Sequence, residues 1–171
     1  MDPIPEALVE RTWKEVAQFT LRQIEKEHAK LAREQKEVLG FVLDMTADMG
    51  DPAKELAVYL SFVVVRMFQK AHGPKLPFIS SSHITDCYEA NTSLMEQLNK
   101  THERFLDRIA SLQILDQAHV MKYVVEALVE EDDEEDFKKI TEDDKEVLFW
   151  ILKAVVDALS KAVDQRRESL S

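Results

Sequence analysis

Two Glu/Asp-x-x-His patterns, Glu25/His28 and Asp116/His119, and the pair His83/Cys87 are the residues whose types and spacing could do chemistry. Side chains three or four residues apart share one face of a helix. Imidazole, thiolate and carboxylate are the donors that transition metals take. Di-iron bundles of the ferritin kind place Glu-x-x-His on two helices and one further Glu on each of the other two. Geometry disfavours that arrangement here. If the chain reverses at Gly50, His28 falls level with His72, and Glu55, the only Glu between 52 and 72, lies roughly 30 Å away along the axis.

The same level argument predicts another cluster. With the first helix straight and successive helices running up and down, His28, His72 and His83 come near one end. Glu25 flanks His28, and Cys87 lies one turn beyond His83 on the same face. Glu25, His28, His72 and His83 are therefore the candidate ligands if a transition metal binds, which would make the chain a redox or hydrolytic bundle. Each imidazole also has a plain structural role, and these are favoured. His72 would sit at a helix C-terminus, where a partly cationic ring suits the dipole. His83 would be an exposed first-turn residue, and His28 a polar residue that fixes packing register. A helix N-terminus and an imidazolium can activate a thiol such as Cys87. No orienting acid or oxyanion site can be assigned, however, and Cys87 falls on an apolar stripe where a small thiol needs no special role. No catalytic residue and no cofactor are expected.

Charge is the other chemical feature. Residues 130–136 are seven consecutive carboxylates, EEDDEED, within an acidic connection at 130–141; the net charge of −11 would be −4 without them. An EF-hand loop starting at Asp132 would need glycine where Phe137 stands and a closing Glu where Asp143 stands, so that pattern fails. Adjacent carboxylates point in different directions, which ranks a solvated connection first, a docking surface for a basic partner second and a metal cage last. No Lys/Arg cluster is present to bind phosphates, so nucleic acid is not an expected partner. The apolar stretch LAVYLSFVVV (56–65) is too short to span a bilayer and is followed by Arg66, so no membrane is expected either. Arg66 itself reads as an ion-paired or snorkelling side chain, with a seat for an anion as the alternative. One cysteine and an N-terminal stretch, MDPIPEALVERTW, without the basic and apolar regions of a secretory signal lead to the expectation of a cytoplasmic protein.

Helices must position these groups. Glycine occurs only at 40, 50 and 73, proline only at 3, 5, 52, 74 and 77, and neither occurs from Phe78 to Ser171. A single all-α domain over 1–171 is expected, a bundle of about five helices near 6–49, 52–72, 83–111, 115–130 and 142–168. In the first, apolar residues recur every third or fourth place from Ala17 to Met49, interrupted by His28 and Gln35. Gly50 is expected to take a left-handed conformation that ends it, with Asp51 capping the next helix and Pro52 at its first position. Helix 52–72 is apolar all round and so belongs at the centre. Slippage of the apolar stripe predicts a turn within 111–116. Thr141 and Asp144 resemble a capping box.

Size raises a conflict. An unbroken helix over 6–49 would be about 66 Å long, whereas a compact domain of this length is about 40 Å across. Helix 1 must bend, break or project into a second subunit, and AREQKE (32–37) and Gly40, within 33–40, are where a break is expected. A continuous helix would need a homodimer to cover its seam. The leading expectation is a non-enzymatic interaction or regulatory module that self-associates and docks another protein through the acidic connection or the 73–82 loop, GPKLPFISSS. The alternative is a metal-binding bundle using the histidines at one end.

Overall fold

The polar interruptions in the first apolar seam are where the chain bends. The computed structural model describes residues 1–91, 94, 96, 116–130 and 140–170, and these contain seven helices and no strand. What reads as one helix over 6–49 is three: α1 (Glu6–Ala17), α2 (Leu21–Glu34) and α3 (Lys36–Met45). The first break is set by Thr20, whose hydroxyl accepts from the Gln23 amide while the Gln23 side chain accepts from the Thr20 amide, at 3.2 and 2.8 Å. This reciprocal capping satisfies two otherwise orphaned donors. The second break falls at Gln35, inside the expected 33–40 window, with φ −132° and ψ 51°. Gly40 is not a break; it lies within α3. Folding back in this way removes the length conflict, and with it the argument that helix 1 needs a second subunit.

α4 (Asp51–His72) begins one residue before the expected start, and its N-cap is Gly50 rather than Asp51. Gly50 has φ −68°, an extended conformation, so the expected left-handed turn is absent there. Pro52 then sits in the first helical turn, where its missing N–H costs nothing. Gly73 ends α4 with φ +104°, the only positive φ among the described residues and one that suits glycine. α5 (Ser81–Ala90) is capped by Ser80, whose hydroxyl accepts from the His83 amide at 3.1 Å. It ends at Ala90, and of the rest of the expected 83–111 span all but residues 91, 94 and 96 lies outside the described residues. Asn91 donates its side-chain amide to the Cys87 carbonyl at 2.8 Å, offering the backbone an alternative to the helical ladder. Of the expected turn within 111–116, residues 111–115 lie outside the described residues; Asp116 and Gln117 form a turn before α6 (Ala118–Glu130). Thr141 caps α7 (Glu142–Leu170) by accepting from the Asp144 amide at 3.0 Å.

The core has two axes. α4 is apolar on every side and buries Leu56, Leu60, Val63, Val64, Met67 and Phe68, as its sequence implies. α7 is its equal, burying Leu148, Ile151, Leu152, Val155, Leu159 and Val163 and packing against α3, α4, α5 and α6. The C-terminal ends of α4 and α7 meet where Arg166 donates to the His72 carbonyl at 3.3 Å, so the two axes run the same way. α1 crosses α4 and α6, stacking Trp13 on Tyr123 at 6.2 Å between ring centroids.

Candidate functional site

The breaks decide where the histidines go. α2 lies against the middle of α4, and the His28 ring meets Phe62 edge-on at 5.0 Å. Phe62 precedes His72 by ten residues, about 15 Å along the helix. His28 is therefore not level with His72; the level argument assumed a straight first helix. Burial lowers the pKa of His28, and its Nε2 is buried without a hydrogen-bond partner. His72 closes α4 against Phe68 at 6.0 Å. Its pKa is also lowered, first by burial and then by Arg167 and Arg166, with Asp164 acting the other way. His83 sits in the first turn of α5, and its Nε2 lies 3.1 Å from the Ala158 carbonyl of α7. Glu25 is exposed on α2. Each imidazole thus meets a different part of the framework. Among the described residues no three His, Cys, Asp or Glu side chains form a group that could hold a metal ion. Cys87 is buried, and burial raises its thiol pKa, the reverse of an activated nucleophile. The acidic stretch 131–136 lies outside the described residues.

Arg66 is ion-paired. Its guanidinium reaches Glu15 of α1 at 2.8 Å and Glu27 of α2 at 3.5 Å, and stands 5.1 Å from the Phe19 ring. Lys70 adds a second cation to Glu15 at 3.3 Å. One arginine thereby holds α1, the α1–α2 turn and α2 against α4. A second polar group joins α5 to α7: Lys153 donates to Asn91 and to Asp157, each at 2.8 Å.

The 73–82 loop is held at several points. Gln35, only 3% exposed at the α2–α3 break, accepts from the Ile79 amide at 3.0 Å and donates to the Pro77 carbonyl at 2.8 Å. Arg166 donates to the Lys75 carbonyl at 2.6 Å. Ile79 is fully buried, and between these anchors Phe78 stands 55% exposed. An open groove beside it is floored by α7 and lined by Phe78, Ser80, His83, Gln165, Arg166 and Ser169. Among the lining residues Arg166 brings a cation, and its side chain is engaged by the Lys75 and His72 carbonyls. Sequence reading singled out the loop but not its anchors. Gln35 was visible only as a polar residue in an apolar seam, and its partners lie more than forty residues away. The surface offers an apolar knob on a loop whose backbone is hydrogen-bonded at several points.

Comparison with protein-family models, with curated proteins and with solved structures found no match.

Proposed function

We propose that this chain is a non-enzymatic helical interaction module, one that self-associates and docks another protein through the 73–82 loop. The observation that carries this reading is Phe78: a large apolar side chain, 55% exposed, on a loop whose backbone is fixed on either side by Gln35 and Arg166. Exposed aromatic side chains on pre-organised backbone are typical anchors of interfaces, since little entropy is lost when they are buried. The metal-binding alternative would need His28, His72 and His83 to converge, and no geometric feature favours it.

A photo-cross-linking side chain placed at residue 78 tests the proposal, with the same group at exposed Lys26 as control. In extract of the cells that make the protein, position 78 is expected to yield discrete protein adducts that position 26 does not. Equal or absent labelling at the two positions would end this reading.

A further inference from the structure

We infer that a polar cavity between the end of α5, the start of α6 and α7 binds a free amino acid with a small or polar side chain. This goes beyond the interaction-module reading and is independent of it. α7 is an axis of the core, yet Lys153, Asp157, Ser160 and Lys161 recur every three or four residues and make one stripe of it polar. That stripe forms a wall of a cavity of about 370 Å³, a volume within the range of small-molecule sites. Asn91 after α5, and Asp116 and Gln117 before α6, line it too. Two of these polar side chains are more than nine-tenths buried: Asn91 is 7% and Gln117 2% exposed.

The hydrogen bonds in this wall leave specific groups unused. Asn91 donates to the Asp157 carboxylate at 3.3 Å and accepts from the Lys153 ammonium, which also donates to Asp157. All of these bonds reach one oxygen, Oδ2, and the second oxygen of Asp157 keeps its capacity. Held in this way, Asp157 does not pair with Lys161, one helical turn further on. Between them stands Ser160, whose hydroxyl is buried without a hydrogen-bond partner, a rare state for a buried polar atom. From the α6 side, Gln117 accepts from the Ile4 amide at 2.8 Å and directs its nitrogen to the Met1 sulfur at 3.1 Å, a weak acceptor. Asp164 faces the Met1 ammonium at 3.7 Å and takes no part.

A carboxylate, a hydroxyl and an ammonium within one turn of helix match the two charges of a free amino acid. The ligand ammonium meets Asp157, and the ligand carboxylate meets the Ser160 hydroxyl and Lys161. Lys153 and Asn91 position Asp157. Apart from Ala90 and Met1, the described residues that line the cavity are polar or charged. A bulky apolar side chain would strip water from these groups without replacing its hydrogen bonds, so small or polar side chains are favoured.

The test uses the purified full chain and thermal melts with each common amino acid in turn, with acetate and methylammonium as probes of a single charge. At about ten times its Kd, a small or polar amino acid is expected to raise Tm by a few degrees. Acetate, methylammonium and the N-acetyl amide of the same amino acid are expected to leave Tm unchanged. Ser160→Ala and Lys161→Met remove groups that have no hydrogen bond or ion pair among the described residues. Both variants are therefore expected to melt like wild type without ligand, and to bind the amino acid about tenfold more weakly in titration calorimetry. No rise in Tm with any amino acid would overturn the inference. So would a rise matched by acetate or methylammonium, a rise confined to leucine or phenylalanine, or affinity undiminished in either variant. Adducts at residue 78 test the interaction-module reading separately, whichever way the melts fall.

Discussion

Gln35 binds the backbone of Ile79 from forty-four residues away: its side-chain oxygen accepts from the Ile79 amide at 3.0 Å, while its nitrogen donates to the neighbouring Pro77 carbonyl. The residue that interrupts the first helical seam is thus the one that fixes the loop. Gln35→Ala leaves a buried N–H and a carbonyl without partners and is expected to cost about 2–4 kcal/mol. Gln35→Glu sets a carboxylate oxygen against the Pro77 carbonyl in a buried site and should cost at least as much as alanine at neutral pH. Urea denaturation gives the order; an alanine variant as stable as wild type would show that the loop is held without this residue.

Arg66 connects α1 and α2 to α4 through Glu15 and Glu27. The site is partly solvated, so Arg66→Met is expected to cost about 1–2 kcal/mol rather than the larger penalty of a fully buried pair. Its hydrogen bond to Arg66, more than Lys70, holds the Glu15 carboxyl below its ordinary 4.5. The folded state therefore binds fewer protons than the unfolded one just below that value. Stability from this pair is complete above 4.5 and is lost as pH falls through the lowered folded value. Glu15→Gln should flatten the acid side of the stability–pH curve; an unchanged slope there would assign it to other carboxylates.

Burial lowers the pKa of His28 in the folded protein from the ordinary 6.5. Unfolded chains take up this proton first, so stability present above 6.5 declines as pH drops toward the lowered folded value. His28→Leu removes a buried nitrogen that has no partner and keeps an apolar contact with Phe62. The variant is expected to match or exceed wild type at neutral pH, and to exceed it by more at about pH 5.5. Thermal melts at the two pH values decide this, and a variant less stable at both would mean that the ring packs better than leucine.

Cys87 is 2% exposed, and its thiol pKa is raised by burial. Alkylation by iodoacetamide at neutral pH is expected to be slow in the folded protein and to accelerate many-fold in urea, because only the exposed thiolate reacts. Fast labelling without denaturant would reveal opening of α5 from α7.

The helical class was legible because from Phe78 onward no glycine or proline interrupts an apolar period of three to four. The break at Gln35 was legible as a length that a compact domain cannot hold. Thr20 and Gln23 carried the other break in plain view, as the T-x-x-Q of a capping box, but the continuous apolar seam across them argued for one helix. Gly50 misled because glycine is used here as an extended N-cap, with no left-handed turn required. The imidazole cluster failed for a related reason. A level count transfers between helices only while each is straight, and two bends move His28 to the middle of α4. Contacts such as Arg66 with Glu15 leave no spacing signature, since the partners are fifty-one residues apart and fixed only by packing.

α7 supplies half of the central packing, yet the ribosome makes it after every element it covers. Until it emerges, the apolar faces of α3, α4, α5 and α6 that it buries have no counterpart, and the growing chain presents sticky surface to its surroundings. Nascent chains arrested before residue 142 should accordingly bind holding chaperones and resist folding, with native protease resistance arriving in one step as the last helix docks.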